Sequence, residues 1–243
     1  MKLYNIPIMP RPEISVILPA YNEKENIEKA VKSTRSYLQS KFKSFEIIVV
    51  NDGGTDGTQE VTEKLAKSIK ELKLINHPRN LGYGATLGDG FRRSTGKLVF
   101  YTDSDNQYDI REMDKLLPLI KKYDIVAGYR LNQAAPPTRI ITSYVYNLII
   151  RILLGLKIKD IDCSFKLYRQ EAFDNIDLKS HTGLIDAEIL IKAQKAGFTV
   201  HQVGVHHYPR VKGRTIYEIG PLVNPKVPLE IFKEIKRLWP ELT

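Results

Sequence analysis

Three apolar runs in the first 102 residues constrain the chain most. "ISVILPA" (Ile14–Ala20) runs into "YNE", "EIIVV" (Glu46–Val50) into "NDGGTDGT", and "KLVFYT" into "DSDNQYD". Each has the length and continuity of a strand buried on both faces. Between them, Ile27, Val31, Thr34 and Leu38 fall at helical spacing, as do Val61, Leu65, Ile69 and Leu72. Asn22 is predicted to cap the first of these helices, with Glu25 three residues on. "LKLINH" reads as a further strand, "NLGYGATLGDGF" as the start of a third helix, and "DIVAGYR" (Asp124–Arg130) as a fifth strand. Strands joined by helices of this length predict a mostly parallel α/β sheet with right-handed crossovers. Ligands in such sheets bind beyond the carboxyl ends of the strands. The three polar exits are therefore expected on one rim, with Arg130 delivered to the same edge.

The second half is less regular. "QAAPPTR" is a loop by its prolines. The helix from Tyr144 carries Asn147, Arg151, Gly155 and Lys159 four apart, one polar stripe on an otherwise apolar surface. "DIDCSFKLYR" reads as a strand, "DAEILIKAQKAG" as a helix and "TVHQVGVHHY" as a strand, followed by the basic loop "PRVKGRT". The tail "PLEIFKEIKRLW" has Ile231, Ile235 and Leu238 on one side. The expected organisation is one main domain over residues 1–217, with an amphipathic helix at about 140–156, and an amphipathic tail over 218–243.

Charge and cysteine content narrow the partners. Lys plus Arg exceed Asp plus Glu by 9, which suits an anionic partner or a solvated surface. The acidic rim opposes nucleic acid as that partner. One cysteine, Cys163, forms neither an internal disulfide nor a zinc site alone and fits a reducing cytoplasm. The N-terminal residues lack the apolar core of a signal peptide. No run reaches the roughly 18 apolar residues of a membrane span; the nearest, from Tyr144, is interrupted by Asn147 and Arg151. The expected location is the cytoplasm, with room for contact with a membrane surface.

In an extended segment, Asp103, Asp105 and Gln107 project to one side. Two carboxylates and an amide oxygen are hard ligands suited to Mg²⁺ or Mn²⁺. Asp109 is expected to cap a helix. Asp52, Tyr21 and Glu23 are placed to meet a base or ribose, whereas Gly53, Gly54 and Gly57 serve the turn. "NLGYG" matches neither a Walker loop nor GxGxxG, so a kinase or Rossmann dehydrogenase is not supported. Arg210, Lys212 and Arg214 form a loop suited to phosphates. His206 and His207 lie on opposite faces of their strand. Asp186 and Glu188 read as a cap and a first-turn acid, or as lining of the site.

"PAYNE", "NDGGTDGT", "NLGYGAT", "DSDNQYD", "DIDCSFKLYR" and "HHYPRVKGRT", in that order, resemble family 2 glycosyltransferases. Within that family the likeness is to dolichyl-phosphate mannose synthases and bacterial polyprenyl-phosphate relatives. It implies a GT-A fold, a Rossmann-like sheet flanked by helices. It implies inverting, metal-dependent hexose transfer from GDP-mannose or a UDP-hexose to a polyprenyl phosphate; a saccharide hydroxyl acceptor is the alternative. By resemblance, Pro19, Tyr21, Glu23, Val50 and Asp52 bind the nucleoside. Asp103, Ser104, Asp105 and Gln107 match an Asp-x-Asp-x-Gln motif that holds the cation and donor, with Asp103, Asp105 and Gln107 as metal ligands. Arg130 and Arg210 match basic positions near the phosphates and, with Asp105, are the implied catalytic residues. Ile216 stands where mannose synthases carry Lys, and Arg214 supplies a nearby charge. Asn51 replaces an Asp, and Ser164 stands where Gly is usual. The helix from Tyr144 and the tail helix correspond to interfacial helices beside the lipid acceptor, with a membrane-anchoring partner or a second copy as further possible company. The resemblance implies a peripheral place on the inner face of the membrane.

Overall fold

The computed structural model describes residues 11–174, 176–213, 218–219, 222–223 and 226–243. Nine strands are present among them: β1 (Ile14–Ala20), β2 (Phe45–Asn51), β3 (Leu72–Asn76), β4 (Leu98–Thr102), β5 (Ile125–Arg130), β6 (Phe165–Arg169), β7 (Val200–Val205), β8 (Glu218–Ile219) and β9 (Leu222–Val223). The helices are α1 (Ile27–Lys41), α2 (Thr58–Ser68), α3 (Tyr83–Arg93), α4 (Pro137–Leu154), α5 (Ile185–Lys195) and α6 (Lys226–Leu242).

Seven strands form one sheet in the order β3-β2-β1-β4-β6-β5-β7. The pairs β1–β2, β1–β4, β2–β3 and β5–β7 are parallel, while β6 runs antiparallel between β4 and β5. Every residue of β1 is buried, as expected of a central strand covered on both faces. Alternate residues split between two cores. Ile17 and Tyr101 pack with α3, α5 and α6, and Val16, Leu18 and Phe100 with α1 and α2. The GT-A expectation of a mostly parallel sheet with flanking helices therefore holds.

Three local expectations are corrected. Asn22 does not cap α1; it adopts φ 56° and its Oδ1 accepts the Thr55 N–H at 2.8 Å, tying the β1 exit to the β2 exit. The capping position is Asn26. Leu72 belongs to β3 rather than to the preceding helix, which ends at Ser68. The helix predicted from Tyr144 begins at Pro137, in its first turn, where the missing N–H costs no bond.

The polar stripe expected on this helix is cut short: α4 ends at Leu154, so Gly155 and Lys159 lie beyond it, and of the four residues only Asn147 is buried. Asn147 Oδ1 accepts the Ile161 N–H at 2.8 Å, and Arg151 donates to the carbonyls of Ile158 and Lys159 at 2.9 and 2.8 Å. These bonds satisfy the backbone of the segment leading to β6. Ile141, Tyr144, Val145, Leu148, Ile149, Ile152 and Leu153 are consequently left exposed. On α6, Ile235, Leu238 and Leu242 are buried, and Glu234 accepts from Ser180 Oγ and the His181 N–H. No helix among the described residues is long and apolar enough to cross a membrane.

Candidate active site

The exits of β1, β2 and β4 meet in one cleft of about 130 Å³, as their polar motifs predict. Pro19, Tyr21, Glu23, Asp52, Asp103, Ser104, Asp105 and Arg210 all line it. Ser104 Oγ donates to the Pro19 carbonyl at 2.7 Å, locking the β4 exit to β1. Val50 is fully buried in the core, so its side chain does not reach the cleft. Asp52 is largely occupied within the protein. It accepts the N–H groups of Leu81 and Gly82 at 2.8 and 3.0 Å and contacts His77 Nδ1 at 2.7 Å. It thus shapes the "NLGYG" turn, where Gly82 adopts φ 99° and a Cβ would strike the His181 carbonyl.

Asp103 and Asp105 enter the cleft together, but Gln107 does not follow. Asn106 takes φ 61° and breaks the extended run, while the Gln107 N–H bonds back to Asp105 Oδ1 at 3.0 Å. The Gln107 amide donates to the Tyr208 carbonyl at 2.9 Å. Asp109 caps the short helical turn at Ile110–Lys115, as read from the sequence. Tyr83 and Ser164 hydroxyls donate to the two oxygens of Asp103 at 3.1 and 2.6 Å. Burial, followed by the charge of Asp105, raises the pKa of Asp103; burial likewise raises that of Asp105. Arg210 bridges Glu23 at 2.5 Å and Asp105 at 3.3 Å. Arg214 lies outside the described residues.

No group of three or more His, Cys, Asp or Glu among the described residues is arranged to hold a metal. Two adjoining buried carboxylates nevertheless fit a hard divalent cation, which is held by one or two carboxylates plus substrate phosphate oxygens. A cation between them would offset the burial that raises both pKa values and the charge of Asp105 that adds to it at Asp103.

A second cleft of about 310 Å³ opens beside the first and shares Tyr83, Asp103 and Arg139 with it. Its floor is charged: Arg130, Asp162 and Asp186. Its walls are apolar, with Val145, Tyr146 and Ile149 from α4 and Ile231, Phe232 and Ile235 from α6. Arg130 is delivered by β5 as expected, but Asp160 clamps its guanidinium with two bonds of 2.6 Å. Asp186 pairs with Lys166 Nζ at 2.7 Å and accepts the Tyr101 hydroxyl. The cap assigned to Asp186 is corrected, since it lies inside α5, which has no side-chain cap. Glu188 faces away, held by the N–H groups of Lys179 and Ser180 and by Lys192. His206 is exposed beside Glu112, whereas His207 is buried against Tyr108.

Residues 15–177 match the family model for glycosyl transferase family 2. The chain belongs to that family. Glycosyltransferase AglD of Haloferax volcanii is 32% identical over 95% of this chain and 38% of its own length. Dolichyl-phosphate beta-glucosyltransferase ALG5A of Trichomonas vaginalis is 34% identical over 79% of this chain and 64% of its own length. The chain thus spans less than two thirds of these family 2 relatives. Glucosyl-3-phosphoglycerate synthase from Mycobacterium tuberculosis, crystallised with Mn²⁺, uridine diphosphate and phosphoglyceric acid, has a TM-score of 0.69 at 19% identity. That likeness covers 93% of this chain and 78% of the synthase, and it shows the GT-A fold.

Sequence reasoning missed Tyr83, Arg139, Asp162 and Lys166. Arg139 and Tyr83 sat in segments read as a proline loop and a helix start. Lys166 lies in an apolar strand, and its odd placement was the available signal: a charge between Phe165 and Leu167 with no solvent face to occupy.

Proposed function

We propose that this chain transfers a hexose from a nucleoside-diphosphate sugar to a polyprenyl phosphate, with inversion, at a divalent cation held by Asp103 and Asp105. The junction of the two clefts at Tyr83, Asp103 and Arg139 carries this reading. It sets a charged floor beside the donor carboxylates and places apolar walls above it. Pro19 and Tyr21 border the nucleoside, with Asp52 holding the turn that closes over it. Arg210 stands by the diphosphate. When bound, the cation neutralises charge on the departing diphosphate.

At the acceptor end, Arg130, Arg139 and Ser143 face the cavity and supply donors for a phosphate. The polyprenyl chain would lie between α4 and α6. A phosphate monoester is anionic near neutral pH, with a second pKa of about 6, so attack on the anomeric carbon needs no general base. This agrees with the two α5 carboxylates: Glu188 is turned away, and Asp186 is bound by Lys166.

The exposed apolar face of α4, joined by Leu229 and Phe232 of α6, suits docking on the cytoplasmic leaflet of a membrane. The basic balance of the chain favours anionic lipids. A membrane-anchored partner or a second copy of this chain would use the same face, and vesicle binding by the isolated protein separates these outcomes. The direct test incubates the protein with labelled UDP-glucose or GDP-mannose, Mn²⁺ or Mg²⁺, and polyprenyl phosphate. Label entering an organic-extractable, mild-acid-labile product supports the reading. Label entering only a saccharide would move the acceptor to a hydroxyl.

A further inference from the structure

Three carboxyl groups open into the larger cleft, and they are held differently. Asp103 receives two hydroxyl bonds, from Tyr83 and Ser164. Asp186 has the Lys166 ammonium at 2.7 Å. Among the described residues, Asp162 has only the Ser143 hydroxyl, at 3.4 Å, near the limit of a hydrogen bond. The guanidinium closest in kind, Arg130, is committed to Asp160 through both of its short bonds. Asp162 therefore faces the acceptor space with hydrogen-bonding capacity unspent. Ser143, its one partner, is also a cleft residue.

A phosphate held by the donors of Arg139 and Ser143 in this space also meets the Asp162 carboxyl group. Two anions in contact repel. A single proton between them turns the repulsion into a charge-assisted hydrogen bond. We propose, on the reading that the acceptor is a phosphate monoester, that Asp162 binds it through a shared proton, so that the cleft takes up acceptor and one proton together. The proton comes from solvent on binding. The attacking oxygen is one that carries no proton, and the product phosphodiester leaves the proton on Asp162.

The groups around Asp162 are consistent with this. Burial pushes its carboxyl up to about 7, against the pull of Arg130 and Lys166 and with the push of Asp160 and Asp186. Arg139 and Ser143 of α4 complete the surroundings on the cleft side. A neutral Asp162 at the pH where phosphate is already largely ionised is the combination that lets one donate to the other.

The test measures binding of a short-chain prenyl phosphate to the wild type and to Asp162→Asn between pH 6 and 8.5, with UDP affinity as the folding control. Asp162 lies outside the donor cleft, so UDP affinity is expected to be unchanged. The wild type is expected to lose acceptor affinity about tenfold per pH unit above neutrality, since each unit removes that fraction of the protonated complex. Asp162→Asn, a permanent neutral donor, is expected to bind within about threefold of the wild-type optimum and to lose that slope. A variant with the wild-type slope would overturn the proposal. So would a variant that binds normally but loses turnover, which makes Asp162 a base instead. Absence of binding by both forms at every pH would overturn the phosphate acceptor itself, and the shared proton with it.

Discussion

Arg210 and Asp105 meet across the donor cleft, with the guanidinium 3.3 Å from the carboxylate. They lie 105 residues apart in the chain, one in the loop after β7 and the other at the β4 exit. The same guanidinium also holds Glu23. Removing it leaves two partly buried carboxylates without their cation and removes a donor from the diphosphate side. Arg210→Ala is expected to lower kcat/KM on the order of a hundredfold, the scale of losing a charge-assisted contact worth about 2–3 kcal/mol. Arg210→Lys should recover only part, since lysine cannot fork between two carboxylates. Steady-state kinetics against donor concentration checks both.

Lys166 and Asp186 set a different dependence, on stability. Both are buried, and the ammonium also donates to the carbonyls of Ile161 and Cys163 at 2.9 and 2.6 Å. Lys166→Met strands the Asp186 charge, at a cost of about 3–5 kcal/mol. A fall in Tm of about 10 °C or more is expected by thermal denaturation. The double variant Lys166→Met/Asp186→Leu should recover most of that loss.

The outward face of α4 separates surface binding from folding. Ile141 and Ile152 are 62% and 72% exposed, so Ile141→Glu/Ile152→Glu should leave Tm within about 2 °C of wild type. Co-sedimentation with anionic vesicles should fall several-fold, because the acids remove apolar insertion and repel anionic lipid. Unchanged co-sedimentation would place the membrane contact elsewhere.

His207 gives a pH signature. It is buried, its Nδ1 accepts the Ala134 N–H at 3.2 Å, and burial, then the charges of Arg130 and Arg139, lower its pKa to about 4. The unfolded chain, with an ordinary histidine near 6.5, binds a proton more readily. The stabilising contribution is therefore full above about pH 6.5 and is lost as pH falls toward 4. His207→Asn cannot titrate there. The stability of wild type relative to this variant should drop by roughly 2–3 kcal/mol between pH 7 and 4, measured by denaturant unfolding at each pH.

The sequence made the shared rim legible because three apolar runs ended in polar motifs, and parallel crossovers put such ends together. Asp103 and Asp105 could be placed for that reason. Gln107 could not, because a left-handed Asn106 interrupts the alternation on which the placement depended. The α4 stripe was half visible: the four-residue spacing of Asn147, Arg151, Gly155 and Lys159 was clear, but the helix stops at Leu154, and only the fold shows that Asn147 and Arg151 hold the segment that follows. The charged part of the larger cleft was the least legible. Arg130, Asp162 and Asp186 come from β5, the loop before β6 and α5, and the antiparallel insertion of β6 next to β5 has no local signature.

The central claim is that Asp103 and Asp105 join a divalent cation to the donor diphosphate. Calorimetric titration of UDP into the protein tests it most directly, with Mn²⁺, with a chelator, and after Asp105→Ala. Affinity that falls at least tenfold on chelation, and is weak and chelator-insensitive in the variant, is predicted from the loss of one charged ligand. Equal affinity under all three conditions would contradict the account.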